Sequence, residues 1–146
     1  MAGSLSEANL FDKVIFEEPD VMSLAEEGFV CADMHFHTDA SDSFTKVTDA
    51  VRLAKQRGLA LAITDHNLIS NAMKVAGRKD IVIIPGMEVS TTDGPHILVW
   101  FYDQAELQDF WKREIKGRLQ SCPWLALKDC TVEQLLNRLE SENCVV

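Results

Sequence analysis

The sequence contains four histidines, and their positions indicate metal chemistry. His35 and His37 follow one apolar segment, and His66 follows the next. Glu88 comes after a third apolar segment, and His96 immediately precedes a fourth. Imidazole and carboxylate groups are ligands that zinc, manganese and iron accept in proteins. Scattered surface histidines are not expected to fall into this arrangement, so it predicts a metal site.

The D-M-H-F-H segment at residues 33–37 has an H-x-H core. Alternate residues of an extended segment share a face, so both imidazoles can reach one ion, and the Asp33 carboxylate lies on the same face. Taken alone the pattern is weak, because two solvent-facing histidines on an edge strand would look the same. Asp65 and His66 after the next strand, and Glu88 after the third, favour the metal interpretation.

Apolar segments alternate with helical patterns from about residue 28 onward. The predicted strands cover residues 29–32, 59–63, 81–84 and 97–101, and another begins at 144. The predicted helices cover residues 47–54, 68–75, 104–119 and 131–139. Strands that alternate with helices predict an α/β fold with a parallel sheet, either open or closed into a barrel. Functional residues of such folds collect at the carboxyl ends of the strands.

Local signals mark the ends of two predicted helices. Apolar residues at positions 47, 50, 51 and 54 form the stripe of an amphipathic helix. Gly58 is placed to end that helix in the left-handed conformation. Thr131, with Gln134 three residues later, is a capping-box pattern that predicts the start of the last helix.

The chain is acidic, with a formal net charge of -9. A protein that binds nucleic acid non-specifically needs a basic stripe, and the sequence has none, which argues against broad nucleic-acid affinity. A nucleic-acid substrate stays open, because bound divalent metals would reverse the local charge at the site. Trp100, Trp111 and Trp124 are interpreted as packing residues, with base stacking as the alternative.

Residues 1–27 are interpreted as an acidic N-terminal arm and residues 28–146 as the domain. The first ten residues lack the pattern of a signal peptide, and no apolar stretch reaches the roughly 20 residues that a membrane helix needs. The four cysteines form no C-x-x-C pair. We therefore expect free thiols, a cytoplasmic location and no membrane contact.

The same segments resemble the motifs of the PHP (polymerase and histidinol phosphatase) family. Residues 33–42 are similar to its first motif, D-x-H-x-H-T-x-x-S-D, and residues 62–67 to its T-D-H segment. Residues 85–90 resemble its G-x-E segment, and residues 96–100 the histidine-led strand that follows. The resemblance is close over residues 29–101, whereas residues 102–146 read as connecting helices.

The resemblance implies the N-terminal portion of a (β/α)7-type distorted TIM-like barrel with parallel strands. It implies hydrolysis of phosphomonoesters or phosphodiesters by metal-activated water at a cluster of two or three zinc, manganese or iron ions. The ligands that it implies are His35, His37 and Glu88 for the first ion, Glu88 and His96 for the second, and His66 and Asp42 for the third. Asp33 and Asp65 are expected to assist catalysis by orienting the histidines.

Later PHP segments, a His-Pro and an Asp-x-His, have no counterpart after His96. We therefore expect the chain to be a fragment or a natural half-domain, inactive or poor in metal until the other half is supplied. The expected substrate is a small phosphorylated molecule, a nucleotide or a nucleic-acid end. Two alternatives remain: an amidohydrolase-type metal hydrolase, which the absence of a lysine at any strand end disfavours, and a non-catalytic PHP-like scaffold.

Overall fold

The computed structural model describes residues 19–146. In chain order its helices are α1 (Val21–Glu26), α2 (Val47–Gln56), α3 (Ser70–Val75), α4 (Gln104–Phe110) and α5 (Val132–Leu139). Its strands are β1 (Ala32–Phe36), β2 (Ala60–Ile63), β3 (Ile83–Ser90), β4 (His96–Phe101) and β5 (Cys144–Val145). Most of the predicted arm lies outside the described residues; its last part contains α1, and a domain boundary at residue 28 stays a prediction.

The five strands form one mixed sheet in the order β1-β2-β3-β4-β5. β1 pairs with β2 and β2 with β3 in parallel, as predicted. The prediction is wrong for β4 and β5, because β3 pairs with β4, and β4 with β5, antiparallel. Only residues 91–95 separate β3 from β4, which is too short for a parallel crossover and long enough for a hairpin.

The sheet is open, with β1 at one edge and β5 at the other, so a closed TIM-like barrel is not observed in residues 19–146. Helix α2 packs on one face of the parallel part through the predicted apolar stripe, against Leu61 and Ile63 of β2. Gly58 has a φ of +69°, the left-handed conformation expected after that helix. The predicted capping box of Thr131 and Gln134 begins α5.

In β3, apolar side chains point to one face of the sheet and the Glu88 side chain points to the other. Met87 and Val89 of β3 join the core formed with α4 and α5. Because successive strand residues point to opposite faces, Glu88 between them projects to the other face. The sequence predicts that the third strand ends at residue 84, before Glu88. In the structure the strand extends to Ser90, which pairs with His96.

The helix predicted over residues 104–119 is shorter and less regular than expected. It runs as α-helix over Gln104–Phe110, then as a π-helical turn over Trp111–Ile115 and a 3-10 turn over Lys116–Arg118. Among the described residues no helix is both long and apolar enough to cross a lipid bilayer.

Gly86 lies where β3 passes close to β4, and this proximity makes it hard to substitute. A Cβ atom there would lie 2.9 Å from Trp100 Cδ1 and 3.2 Å from Thr64 Cγ2. We expect Gly86→Ala to lower the free energy of unfolding by about 1–3 kcal/mol through overpacking. Urea denaturation followed by circular dichroism measures it.

Gly117→Ala is the matched control, because a Cβ atom at that position would meet nothing within 4 Å. Its effect is expected to stay within about 0.5 kcal/mol. Equal effects of the two substitutions would contradict the crowding argument at Gly86.

All four cysteines lie among the described residues as free thiols, as predicted. Cys130 is buried in the core, and burial raises the pKa of its thiol despite the nearby Arg138. The thiolate is the reactive form, so we expect iodoacetamide to alkylate Cys130 at least roughly tenfold more slowly than the partly exposed Cys122. Mass spectrometry of the native protein over time gives both rates, and comparable rates would contradict the prediction.

Candidate metal centre

Six residues predicted as metal ligands converge at one edge of the sheet. His35 and His37 come from the end of β1, with Asp42 on the loop that follows. His66 follows β2 and forms a parallel bridge with Glu88: the Asn67 amide donates to the Glu88 carbonyl at 2.7 Å. His96 begins β4. The structure groups their donor atoms into three sets: His35, His37 and Glu88; His37, Asp42 and His66; His66, Glu88 and His96.

The first set surrounds one oxygen of Glu88. Glu88 Oε2 lies 2.7 Å from His37 Nε2 and 3.3 Å from His35 Nε2. The two imidazole nitrogens are 3.0 Å apart. Two ligand atoms on one tetrahedral zinc ion are about 3.4 Å apart, given zinc–nitrogen bonds near 2.1 Å. The three donors therefore have approximately the spacing of ligands that share an ion.

The other two sets extend the cluster on either side of His66. Glu88 Oε2 lies 3.3 Å from His66 Nδ1, and Glu88 Oε1 lies 3.5 Å from His96 Nδ1, so the two carboxylate oxygens face different imidazoles. Asp42 Oδ1 is 2.7 Å from His37 Nδ1, and its Oδ2 is 3.3 Å from His66 Nε2. Glu88, His37 and His66 each belong to two sets, an arrangement suited to adjacent ions.

The electrostatics of the cluster suit metal ligation. Burial lowers the pKa of His66, and the neighbouring His37 and His96 lower it further, against the opposing effect of the Glu88 and Asp42 carboxylates. His66 therefore favours the neutral form, which can coordinate a metal. Burial acts to raise the pKa of Asp42, but the hydrogen bond and charge of His37, together with the charge of His66 and a backbone hydrogen bond, outweigh it, so that pKa is lowered.

Glu88 is buried, with a relative exposure of 5%. A buried carboxylate needs a compensating positive charge. In the described part of the chain, its ion-pair partners within 4 Å are all imidazoles, namely His35, His37, His66 and His96. Four imidazoles around one buried carboxylate, with a second carboxylate at Asp42, form a donor set that fits zinc, manganese or iron.

Comparison with known families identifies the family of this chain. The family model described as "PHP domain" matches residues 33–120. This chain belongs to the PHP domain family. The matched range begins at Asp33 and contains all eight residues predicted for the site, whereas α5 and β5 lie beyond it.

A curated relative is the 3',5'-nucleoside bisphosphate phosphatase of Chromobacterium violaceum. It is 37% identical to this chain over 68 residues, which cover 44% of this chain and 24% of the relative. The match thus spans about a quarter of the relative's length.

Asp65, from the second PHP motif, anchors the loop that follows β1. Its buried carboxylate accepts hydrogen bonds from the Thr38 amide at 2.7 Å, the Thr38 hydroxyl at 2.6 Å and the Ser41 hydroxyl at 2.8 Å. Asp33 accepts from the backbone amide of His35 at 3.2 Å. Asp65 therefore holds a backbone amide and two hydroxyl groups, Asp33 holds a backbone amide, and the role of both toward the imidazole rings stays a prediction.

Asn71 of α3 is a further support of the PHP site that sequence reasoning missed. Its Nδ2 donates to the Thr38 hydroxyl at 2.7 Å and to Asp39 Oδ1 at 3.0 Å. It thereby helps to hold the loop that carries Asp42. Its polarity within an otherwise apolar helix face was the signal that could have shown it.

Asn67, the residue after His66, is a second missed support. It is fully buried and has a φ of +53°, a left-handed conformation that asparagine tolerates better than most residues. Its Oδ1 accepts from the Ser90 amide at 2.9 Å, and its carbonyl accepts from Trp111 Nε1 at 2.9 Å. Asn67 thus links the PHP motif to β3 and to the turn after α4.

The three tryptophans have different environments. Trp111 packs against the core, as expected. Trp100 belongs to β4, is half-buried and donates through Nε1 to the Met34 carbonyl at 3.0 Å. Trp124 differs, because 48% of its surface stays exposed beside the PHP site.

Proposed function

We propose that this PHP domain hydrolyses phosphate esters with two or three divalent metal ions bound at the cluster of His35, His37, Asp42, His66, Glu88 and His96. One observation carries the proposal: three donor sets share Glu88, His37 and His66, so ions would be held side by side. Zinc, manganese and iron are the candidates that this donor set favours.

The ligands divide among the sites by their positions. We propose that His35, His37 and Glu88 would hold a first ion, and that Glu88 and His96 would hold a second. Asp42 and His66 would hold a third ion, and His66 lies near enough to Glu88 to contribute to the second. Bound ions would neutralise phosphate charge and lower the pKa of a bound water, which supplies the nucleophile.

The exposure of the ligands gives the direction from which substrate arrives. The side chains of His35, His96 and Asp42 are 49%, 45% and 43% exposed, whereas Glu88 and His66 are almost fully buried. Phosphate therefore approaches from the side of the exposed ligands. The buried pair holds the cluster from beneath, and Asp33 and Asp65 support the segments that carry the ligands.

A phosphomonoester of nucleotide size is the proposed substrate class. The curated relative is named for a nucleoside bisphosphate, and its matched segment is similar to this chain. The net charge of -9 disfavours long nucleic acid, which needs an extended basic surface. We also propose a cytoplasmic location, where the four free thiols would stay reduced.

Further polypeptide is proposed to complete the barrel. In the described part of the chain both edge strands lack an outer neighbour. An apolar cavity of about 450 Å³ also opens on the sheet, with Met34, Trp100 and Tyr102 in its wall. Open edges and exposed apolar surface favour pairing with additional strands. Such a segment would also supply the remaining metal ligands.

The test combines metal analysis with hydrolysis assays. The 146-residue chain is compared with a form that carries a complete PHP domain. Elemental analysis measures bound zinc, manganese and iron, and p-nitrophenyl phosphate and bis-p-nitrophenyl phosphate report hydrolysis. We expect two or three ions and ester cleavage in the complete form, and weaker metal binding in the chain alone. Absence of both metal and cleavage from both forms would favour the non-catalytic scaffold.

A further inference from the structure

An open cavity of about 480 Å³ adjoins the metal-ligand cluster. Three of its lining residues, Asp42, His66 and His96, are proposed ligands, and two more, Phe44 and Trp124, are aromatic. The described residues that line this cavity include no lysine or arginine. A ligand that extends from the cluster into this cavity therefore meets aromatic rings and hydroxyl groups instead of cationic side chains.

Trp124 is held in place although nearly half of its surface is exposed. Asn67 Nδ2 donates to the carbonyl of Pro123 at 2.7 Å and to the carbonyl of Leu125 at 2.9 Å. The buried amide thus fixes the backbone on both sides of Trp124. Because Asn67 follows His66 directly, the position of the indole is tied to that of a proposed metal ligand.

Phe44 lies on the loop that also carries Asp42. Its side chain is fully exposed, with a relative exposure of 102%, so it contributes no buried surface to the fold. The loop itself is anchored, because the Asp39 amide donates to the Thr45 carbonyl at 2.9 Å and the Ser43 amide donates to the Thr38 carbonyl at 3.3 Å. A single exposed aromatic residue is ordinary, but two in the wall of one cavity beside a ligand cluster point to a bound ring.

We propose that Phe44 and Trp124 bind the base of a nucleotide whose phosphate lies at the metal-ligand cluster. Stacking on aromatic side chains binds any base through its flat face. The Ser43 hydroxyl also lines the cavity; its oxygen accepts from the Thr45 amide, which leaves its proton for the sugar or base. This inference rests on the proposed function, because the cluster must bind the phosphate.

The test is a binding measurement in the presence of Mn²⁺ on the form of the protein that carries a complete PHP domain, because the 146-residue chain alone is expected to bind metal weakly. The probes are inorganic phosphate, a phosphonate analogue of adenosine monophosphate that cannot be hydrolysed, and the matching analogue of ribose 5-phosphate. Isothermal titration calorimetry gives the Kd of each. We expect the nucleotide analogue to bind at least roughly tenfold more tightly than the sugar analogue, and to quench tryptophan fluorescence.

Four variants test whether Phe44 and Trp124 cause the difference in affinity between the nucleotide analogue and the sugar analogue. Phe44→Ala and Trp124→Ala should each raise the Kd of the nucleotide analogue roughly tenfold and leave the Kd of the sugar analogue and of phosphate unchanged. Trp124→Phe should retain most of the affinity but lose much of the quenching. Phe29→Ala removes another exposed aromatic side chain, one that does not line this cavity, and should change nothing.

Each outcome has one meaning. Equal affinity for the two analogues, or no change in the alanine variants, would overturn the inference and leave the phosphoesterase proposal intact. If inorganic phosphate and both analogues fail to bind, the proposed function fails and the inference falls with it.

Discussion

Glu88→Gln is expected to lower the affinity of the protein for Zn²⁺ or Mn²⁺ by about 100-fold or more. Glu88 belongs to two of the three donor sets, and its two oxygens face different imidazoles. Glutamine keeps the size of the side chain but replaces one oxygen with an amide nitrogen that cannot coordinate a metal. Hydrolysis should fall at least as far in whichever form of the protein is active, because one of the two neighbouring ions would lose its oxygen ligand and the other would keep only a neutral amide oxygen.

Calorimetric titration with metal and elemental analysis after dialysis measure the loss. Glu140→Gln makes the same chemical change at the exposed end of α5 and should leave metal binding unaltered. Circular dichroism verifies that both variants fold. Wild-type affinity for both ions in Glu88→Gln would contradict the assignment of Glu88 as a shared ligand.

Asp65→Asn is expected to cost about 2–4 kcal/mol in the free energy of unfolding. One Asp65 oxygen accepts from the Thr38 amide and the Ser41 hydroxyl, and the other accepts from the Thr38 hydroxyl. An asparagine would direct an NH₂ group at one of these donors. The Thr38 oxygen cannot compensate by accepting, because Asn71 Nδ2 and the Ala40 amide already occupy its two lone pairs.

The same substitution should also weaken metal binding, because the loop that Asp65 anchors carries Asp42. Urea denaturation gives the stability change, and a metal titration gives the affinity. Asp80→Asn is the control: Asp80 pairs at the surface with Arg78 and Lys55, and such exposed pairs contribute little. If the Asp65→Asn protein were as stable as the Asp80→Asn protein, the hydrogen bonds of Asp65 would not anchor the loop as proposed.

Local patterns were sufficient to predict much of the fold. The α2 stripe and the capping box of Thr131 depend on residues within one or two turns of helix, so the sequence alone shows them. The strand before His66 was also predicted correctly, because β2 is buried on both faces and therefore uniformly apolar. The parallel pairing of β1, β2 and β3 followed from the helices between them.

The pairing of β3 with β4 could not be obtained in the same way. Pro85 and Gly86 are a residue pair typical of turns, so the predicted strand ends at residue 84 and leaves room for a crossover. Pairing with β4 extends the strand to Ser90 and leaves only a hairpin loop. The length of β3 depends on its hydrogen bonds to β4, and a local sequence pattern gives no information about such pairing.

The sequence by itself determined which side chains could bind metal and that they follow successive strands, since residue type and alternation are local properties. The tertiary structure alone decided the distances among them, including the position of Glu88 between the imidazoles. It also decided which residues support the ligands. For example, Asn67 donates hydrogen bonds to the carbonyls of Pro123 and Leu125, more than fifty residues away in the chain. That contact helps to hold Trp124 beside the cavity, and the sequence could not show it, because a hydrogen bond between distant segments depends on how the whole chain packs.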